Sequence, residues 1–310
     1  MDLEARILVV GAGATGGFFG ARLVQAGRDV TFLVRPQRAA ALRERGLRIT
    51  GLDERTVIEP RLITAEEITG AYDVVLVSVK ATGLTQAIDD IAPAVGPDTT
   101  IVPFLNGVAH LDPLNARYGT KSVLGGVVKV ATTVDQDGDI VRLAPMAELV
   151  IGEQDGRPTP RVRELCELLS GAGFGTAVAP DIVAAMWHKW VFITTVGALT
   201  CLARGSVGDI VAVPGGRELG AAVLAEAAAV SAAAGHPVPA DELAWITGTV
   251  SQAGSGFTPS MYRDVVAGLP TEAEHVFGDL VRRARTLSVP TPLLDLATLQ
   301  LRVHQHRTTS

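Results

Sequence analysis

Lys189 is a cation inside an otherwise apolar segment, which makes it well placed for acid chemistry. The segment begins after Asp181, a residue type that favours the N-cap position of a helix, and continues to Leu202. A lysine in such a helix either extends its ammonium group to solvent or uses it at a site. Partial burial lowers the pKa of a lysine, so the ammonium group becomes a competent proton donor near neutral pH. Lys189 is therefore a candidate general acid.

The adjacent residue, His188, is the rival proton donor. Neighbouring positions on an α-helix point about 100° apart, so only one of the two side chains can face a given site. An imidazole in this position is also a common packing or surface residue. We interpret His188 as such a residue and keep Lys189 as the candidate donor, although the helical pattern alone leaves both open.

Three glycines near the N-terminus have the spacing that binds the phosphates of a dinucleotide. The motif G-x-G-x-x-G directly follows the apolar run 7–10 and precedes a helical pattern. In this motif the first glycine permits a tight turn, the second lets the pyrophosphate approach the backbone, and the third allows close helix packing. The alternative is a glycine-rich turn that only links strand to helix. The predicted cofactor contacts of this segment are Gly11, Gly13, Ala14, Thr15 and Gly16.

The second predicted strand ends where the ribose of the cofactor is expected to bind. NAD-binding sequences usually place Asp or Glu about 20 residues after the glycines, whereas this strand ends at Arg35, and Arg38 follows one helical turn later. A guanidinium group can bind the 2′-phosphate of NADP through two parallel hydrogen bonds. We therefore predict NADPH/NADP+ as the cofactor, with Arg35 as its phosphate contact. The alternative is a solvated loop arginine.

Two further polar residues follow apolar runs of strand length. Lys80 ends the run 72–80, and Asn106 follows the run 99–105. Ligands bind at the carboxyl ends of parallel strands, where a lysine could contact a phosphate, a ribose hydroxyl or a carboxylate. Lys80 could instead be a solvated loop residue, and Asn-Gly is typical of a hairpin turn. The next strand pattern begins only after a further helical segment, which argues against a hairpin.

The order of predicted elements indicates two domains. Strand and helix patterns alternate up to residue 180, as in a parallel sheet covered by helices. Residues 47–58 predict a hairpin added antiparallel to that sheet, and residues 127–133, 140–143 and 147–151 predict three short antiparallel strands that close it. The remaining sequence is alanine-rich and helical. We predict an α/β protein with an N-terminal Rossmann-type NADP-binding domain over residues 1–180 and a C-terminal all-helical substrate and catalytic domain over residues 181–310.

The composition narrows the classes of function. The chain has 310 residues, 47% of them hydrophobic, and a net charge of −6, which is typical of a soluble protein of about two domains. It has no basic run that predicts nucleic-acid binding and no uncharged 18-residue apolar stretch that predicts a membrane span. Cys166 and Cys201 are too few for a disulfide framework, and no Cys/His cluster has metal-ligand spacing. We expect a cytoplasmic protein with a small-molecule partner and no metal, nucleic acid or membrane.

This set of residues resembles the ketopantoate reductase (2-dehydropantoate 2-reductase) family, whose members reduce 2-dehydropantoate to pantoate with NADPH. The resemblance covers nearly the whole chain, and the set in this order is far more specific than any single motif. The matching positions are Gly11 to Gly16, Arg35, Val79 and Lys80, Asn106 and Gly107, Trp187 and Lys189, Ser260 to Asp264, and Pro270 to Glu272.

The resemblance implies a role for each matched side chain. Lys189 is implied to be the general acid and Glu272 the carboxylate that receives the substrate hydroxyl. Ser260 and Asn106 are implied substrate contacts, and Asn106 and Lys80 form the pair at the nicotinamide end. An ammonium group both stabilises and protonates the alkoxide that forms when hydride reaches a ketone carbon. Without the resemblance, we would interpret Glu272 as a first-turn glutamate that interacts with the helix dipole.

The sequence departs from the family on the predicted helix of Lys189. Family members carry asparagines four and eight positions after this lysine, whereas Ile193 and Gly197 occupy those positions here. Losing two amides makes that wall of the substrate pocket apolar and removes hydrogen bonds that would select a hydroxylated acid. The exact substrate therefore stays open.

Three hypotheses follow from the residues and the resemblance. The leading one is NADPH-dependent reduction of 2-dehydropantoate in pantothenate biosynthesis. The first alternative is a reductase of the same family that acts on a different, more apolar 2-oxo acid. The second, of another class, is a non-catalytic dinucleotide-binding sensor, against which the presence of both Lys189 and Glu272 argues. The alanine-rich helical half could support a homodimer.

Overall fold

The computed structural model describes residues 4–309 of the chain, excluding the side chain of Thr309. It divides after residue 185 into two compact units, called unit 1 and unit 2 below. The boundary at residue 180 between an NADP-binding domain and a substrate and catalytic domain stays a prediction. Unit 1 contains, in chain order, β1 (Arg6–Val10), α1 (Ala14–Gln25), β2 (Asp29–Leu33), α2 (Pro36–Arg45), β3 (Leu47–Gly51), β4 (Glu54–Ile58), β5 (Arg61–Ile63), β6 (Tyr72–Val77), α3 (Leu84–Asp90), β7 (Val95–Pro103), α4 (Leu111–Tyr118), β8 (Gly125–Val134), β9 (Ile140–Gly152), α5 (Pro160–Leu169) and β10 (Gly175–Val178).

A five-stranded parallel sheet organises unit 1, with the strand order β5-β2-β1-β6-β7. β1 is central and pairs in parallel with β2 on one side and β6 on the other. Ile7, Leu8 and Val9 are fully buried, as expected for a strand covered on both faces. The strand order reverses between β1 and β6, and ligands of such sheets bind at the carboxyl ends beside this switch point. The predicted Rossmann-type architecture is confirmed.

A second sheet in unit 1 corrects two local predictions. β3 and β4 form the predicted hairpin, but β3 pairs with β9, so the prediction that the hairpin extends the parallel sheet is wrong. Residues 140–152 form one strand of 13 residues instead of two short ones. The register between β8 and β9 shifts between Val130 and Thr132, and Pro145 lies in the stretch of β9 that this shift leaves unpaired. Proline is tolerated there because no ladder hydrogen bond requires its missing N–H.

Within the described residues of unit 2, all regular secondary structure is helical, which confirms the predicted fold class of the C-terminal region. Its first helix, α6, begins in the last residues of unit 1. A five-residue π-helical turn, Glu274–Gly278, directly precedes α11. The helices are α6 (Ile182–Ala203), α7 (Val207–Val211), α8 (Gly216–Ala233), α9 (Ala240–Val250), α10 (Ser260–Val266), α11 (Asp279–Thr286) and α12 (Pro292–Thr309).

α6 supplies much of the core of unit 2. Trp190, Val191 and Leu199 are fully buried. In the described part of the chain, α6 is the one helix that is long and apolar enough to cross a membrane, yet 61% of its most apolar window is buried inside the protein. Such burial is typical of the core helix of a globular domain.

Candidate functional site

The turn between β1 and α1 requires glycine at two of its motif positions. Gly11 has a φ of +96°, and a Cβ on it would lie 2.8 Å from the carbonyl oxygen of Ser78. A Cβ on Gly16 would lie 2.3 Å from the carbonyl oxygen of Gly11 and 2.7 Å from the Cβ of Ser78. A side chain at either position would therefore push α1 away from the sheet. These two glycines allow the N-terminus of α1 to approach the carboxyl ends of β1 and β6.

Gly13 differs because the space beside it is open. A Cβ on Gly13 would have no contact within 4 Å from the described residues, apart from its own neighbours in the chain and helix. Gly13 is the N-cap of α1, and the described residues provide neither a side-chain cap nor an acidic group in the first turn, which Ala14 and Thr15 begin. The first N–H groups of a helix lack intrahelical acceptors and attract an anion. These residues fit the pyrophosphate of a dinucleotide.

The two arginines after β2 have different surroundings. Arg35 is exposed, and its Nη2 lies 3.7 Å from where a Cβ on Gly83 would be, in the turn that follows β6. Arg38 donates from Nη2 to the carbonyl oxygens of Ala12 at 3.2 Å and Gly138 at 2.9 Å. Partial burial lowers the pKa of Arg38, although a guanidinium group stays cationic at neutral pH. The guanidinium group of Arg38 thus stabilises the glycine turn through hydrogen bonds. Of the two arginines, Arg35 is the one whose guanidinium group is exposed to a ligand.

Lys80 and Asn106 lie beyond the carboxyl ends of neighbouring strands. The last residues of β6 and β7, Val77 and Pro103, are paired in register. Lys80 is exposed and Asn106 is half-buried, and each follows the end of its strand by three residues. After Asn106 the chain continues to α4, so the Asn-Gly dipeptide does not form a hairpin turn. The fold therefore brings both residues to the same sheet edge as the glycine turn.

Lys189 lies on a face of α6 that is only partly buried. Lys189, Phe192 and Ile193 are half-buried, and their spacing places them on one side of the helix. Trp190 and Val191, on other sides, are fully buried. We call the side formed by Lys189, Phe192 and Ile193 the open face of α6. Its partial exposure leaves the ammonium group of Lys189, the predicted general acid, accessible to a small molecule.

His188 contacts α9. Its Nδ1 lies 2.9 Å from Oε2 of Glu242, and the two side chains are 13% and 40% exposed. The Nε2 atom of His188 is buried and has no hydrogen-bond partner within residues 4–309. The preceding Trp187 stacks on His236 with ring centroids 5.6 Å apart. These contacts support the interpretation of His188 as a packing residue, and no pattern in the sequence identified Glu242 as its partner.

Glu272 directly precedes the helical segment that packs on α6. Its side chain is half-buried, and its carbonyl oxygen accepts a hydrogen bond of 3.0 Å from the N–H of Val276. The indole Nε1 of Trp190 donates to the carbonyl oxygen of Val276 at 2.8 Å. Val276 belongs to the π-helical turn, a rare local geometry that is frequent at functional sites. Its carbonyl oxygen accepts the hydrogen bond from Trp190, the residue that follows Lys189. The segment of Glu272 is therefore tied to the helix of Lys189.

Ser260 is the exposed first residue of α10. Arg263, in the same helix, donates from Nη1 to the carbonyl oxygen of Thr258 at 2.6 Å. Partial burial lowers the pKa of Arg263. Three residues before Ser260, the ring of Phe257 lies 6.2 Å from that of Phe192 on α6. Unit 2 thus packs the segments of both predicted substrate contacts, Ser260 and Glu272, on the helix that carries Lys189.

The two positions that lack the family asparagines have different environments. Ile193 belongs to the open face of α6. Gly197 is buried, and a Cβ on it would lie 3.0 Å from Cζ of Phe277. An amide side chain at residue 197 would therefore require Phe277 to move. Only Ile193 lies where its replacement of an amide could directly change an accessible surface.

The thiol and metal-ligating groups of the described residues do not form a second site. Burial raises the pKa of the Cys201 thiol to about 12, so this thiol is protonated and a poor nucleophile at neutral pH. Within residues 4–309, no group of three or more His, Cys, Asp and Glu side chains is arranged to hold a metal ion. The candidate site of the described residues therefore consists of Lys189, the segments of Glu272 and Ser260 that pack on its helix, and the glycine turn of unit 1.

Comparison with known proteins gives matches over nearly the whole chain. The family model "Ketopantoate reductase PanE/ApbA" matches residues 7–156, and "Ketopantoate reductase PanE/ApbA C terminal" matches residues 181–305. The uncharacterized oxidoreductase YkpB of Bacillus subtilis is 35% identical, over 97% of this chain and 99% of that protein. The 2-dehydropantoate 2-reductase of Mesorhizobium japonicum is 30% identical, over 94% of each chain.

A solved structure extends the comparison to the fold. The ternary structure of D-mandelate dehydrogenase with NADH and anilino(oxo)acetate has a TM-score of 0.89, covering 98% of this chain and 100% of that chain. Its sequence is 19% identical to this one. At that identity the likeness concerns the fold and leaves the choice of cofactor and substrate to the side chains.

Proposed function

Because this chain belongs to the ketopantoate reductase family and is therefore an oxidoreductase, we propose that it reduces a 2-oxo acid to the 2-hydroxy acid with NADPH. The observation that carries this proposal is the half-buried Lys189 on the open face of α6, in a chain whose α1 N-terminus fits a dinucleotide pyrophosphate. The first substrate to test is 2-dehydropantoate, because the Mesorhizobium relative is named for it. Its product, pantoate, would place the enzyme in pantothenate biosynthesis.

The residues proposed to hold the cofactor belong to unit 1. The open space beside Gly13 and the first N–H groups of α1 would hold the pyrophosphate, and Arg35 would bind the 2′-phosphate. Lys80 and Asn106 would contact the nicotinamide end. When bound, NADPH supplies the hydride. The fold is also that of a dehydrogenase bound to NADH, so the preference for NADPH rests on Arg35 and on no feature of the architecture.

Unit 2 is proposed to supply the proton and the substrate contacts. The Lys189 ammonium group would donate a proton to the carbonyl oxygen of the 2-oxo acid and stabilise the negative charge that develops there. Glu272 would accept a hydrogen bond from the substrate hydroxyl, and Ser260 would contact the substrate. Trp190 links the two segments through its bond to Val276, so the acid and the carboxylate are held by one packing arrangement.

A second candidate substrate is a more apolar 2-oxo acid. The observation that favours it is Ile193, which presents an apolar side chain on the open face of α6 where the family has an amide. A substrate hydroxyl facing Ile193 would lose its water contacts without gaining a partner, which costs about 1–3 kcal/mol. An apolar substituent there would incur no such cost.

NADPH oxidation, followed by absorbance, tests the proposal. The purified chain is mixed with NADPH and with each member of a panel of 2-oxo acids that includes 2-dehydropantoate and 2-oxoisovalerate. We expect substrate-dependent oxidation with at least one of them and formation of the matching 2-hydroxy acid. Tight NADPH binding without oxidation for every member would contradict the proposal and favour a dinucleotide-binding sensor.

We also propose a cytoplasmic location and a homodimer. The family acts on small-molecule 2-oxo acids, which is consistent with the proposed location. The alanine-rich helices of unit 2 offer small side chains that allow close helix packing. Light scattering of the purified protein tests the assembly, with twice the chain mass expected and the mass of one chain contradicting it.

A further inference from the structure

Three aromatic side chains of unit 2 form a cluster on the open face of α6. The ring of Phe192 lies 4.8 Å from that of Trp245 and 6.2 Å from that of Phe257, measured between centroids. Trp245 is 55% exposed and Phe257 is 39% exposed, although aromatic side chains usually bury most of their surface. Contiguous exposed apolar surface marks a binding site more often than scattered apolar residues do. We call these three residues the aromatic cluster.

The aromatic cluster begins one helical turn from the candidate acid. Phe192 follows Lys189 at i+3 and His188 at i+4, so on the surface of α6 it lies one turn beyond both residues and between their directions. α9 runs along this helix, because Glu242 contacts His188 at 2.9 Å and Trp245, one turn later, contacts Phe192. Two contacts in succession fix the register of α9, so Trp245 is held beside the open face.

Backbone hydrogen bonds to the first residues of α7 fix the position of the segment that carries Phe257. Its carbonyl oxygen accepts a bond of 3.2 Å from the N–H of Val207, and the carbonyl oxygen of Ser255 accepts one of 2.7 Å from Gly208. These bonds fix the segment that leads to Ser260, the predicted substrate contact. The aromatic cluster is therefore a preformed surface that lies between the segment of Ser260 and the turn of Lys189.

We propose that the aromatic cluster binds the side chain of the substrate and that the preferred substrate is a 2-oxo acid with an aromatic side chain. This inference rests on the proposed function, since it names the substrate class of the same site. An aromatic ring can stack on Trp245 or Phe257 in the offset or edge geometry that aromatic pairs prefer. Ile193, on the same face, offers no hydrogen bond to a hydroxylated side chain, so such a substituent would depend on the hydrogen bond proposed for Glu272. The aromatic cluster and Ile193 thus both favour an apolar, aromatic substituent on the 2-oxo acid.

Steady-state kinetics with phenylpyruvate and 2-dehydropantoate tests the inference. We expect wild-type protein to have the higher kcat/KM for phenylpyruvate. The Trp245→Ala variant should lower the ratio of the two kcat/KM values by about 10-fold to 100-fold, whereas Trp245→Phe should keep most of it. Leu299→Ala is the matched control, because Leu299 is an apolar residue of α12 that is 58% exposed and lies outside the proposed site; its ratio should equal that of wild type.

Binding of the product acids separates this inference from the proposed function. Calorimetry with phenyllactate and pantoate, both in the presence of NADP+, should give tighter binding of phenyllactate and a loss of that preference in Trp245→Ala. Such binding without any turnover would support the aromatic site and contradict the reductase. Turnover of 2-oxo acids with no effect of Trp245→Ala on either ratio would overturn the aromatic site alone. A change in solution mass in Trp245→Ala with unchanged ratios would also overturn it, by assigning the cluster to an interface between copies.

Discussion

The glycine turn of unit 1 and the open face of α6 in unit 2 would serve the proposed reaction by different means. At the turn, backbone N–H groups and the absence of side chains create the proposed phosphate site, and Gly11 and Gly16 leave no room for a Cβ. On α6, the chemistry depends on which side chains share one face, and the backbone is an ordinary helix. The comparison indicates that the proposed cofactor site is encoded in local spacing, whereas the proposed substrate site is encoded in packing between distant segments.

Removing the proposed acid should give the largest effect on turnover. Lys189→Ala removes both a charge and a proton source, and we expect kcat on the best 2-oxo acid to fall by about 10²-fold to 10⁴-fold. NADPH affinity should hardly change, because the proposed phosphate contacts belong to unit 1. Stopped-flow measurement of NADPH oxidation, with fluorescence titration of NADPH, checks both expectations.

His188→Ala is the control for that variant. It removes the contact to Glu242, which should lower the melting temperature and, through a shift of α9 and Trp245, raise KM for an aromatic substrate. It should leave kcat within a few-fold, because the imidazole packs against α9 and is not the proposed proton donor. If His188→Ala abolished turnover while Lys189→Ala preserved it, the assignment of the acid would be wrong and the open face would not be the catalytic one.

Two glycine variants sharpen the other side of the comparison. Gly16→Ala would place a Cβ 2.3 Å from a carbonyl oxygen, so overpacking should destabilise the free protein by about 1–3 kcal/mol.

Gly13→Ala should leave the melting temperature of the free protein unchanged, because its added methyl group enters open space. It should nevertheless weaken NADPH binding by about 10-fold to 100-fold, since that space is the proposed phosphate site. Equal NADPH affinity in wild type and Gly13→Ala would show that the dinucleotide binds elsewhere.

Arg35 tests the one side chain on which cofactor choice depends. Arg35→Asp replaces a guanidinium group with a carboxylate, which repels a 2′-phosphate and can accept a hydrogen bond from a 2′-hydroxyl. We expect the preference for NADPH over NADH to shrink by about 10-fold to 100-fold or to reverse. Dissociation constants for both cofactors provide the measurement. A wild-type protein that binds NADPH and NADH equally would contradict the role of Arg35.

The smallest effect is expected at Ile193. Ile193→Asn restores an amide on the open face, and the ratio of kcat/KM for 2-dehydropantoate over 2-oxoisovalerate should rise several-fold. Gly197→Asn should instead destabilise the protein, because a Cβ there would lie 3.0 Å from Phe277. An unchanged ratio in Ile193→Asn would place this residue outside the substrate site.

The sequence predicted the parallel sheet, the glycine turn and the helical second half, because each depends on local periodicity and spacing. It placed the β3–β4 hairpin in the wrong sheet, because its partner β9 is about 90 residues away and no local pattern encodes that pairing. It also did not distinguish Ile193 from Gly197, since the contact of residue 197 with Phe277 arises only on packing. The spacing in the sequence could have placed Phe192, at i+3, on the helix side of Lys189. It could not place Trp245 and Phe257 there, because they belong to distant segments that meet Phe192 only in the folded protein.

The central claim, reduction of a 2-oxo acid by hydride transfer, is tested most directly with isotopically labelled cofactor. NADPH carrying deuterium at both C4 positions is incubated with the protein and a 2-oxo acid, and the product is analysed by mass spectrometry and NMR. The account predicts a 2-hydroxy acid with one deuterium at C2, formed in equal amount to the cofactor oxidised. Cofactor that binds but is never oxidised in the presence of any 2-oxo acid, or a product without deuterium at C2, would contradict it.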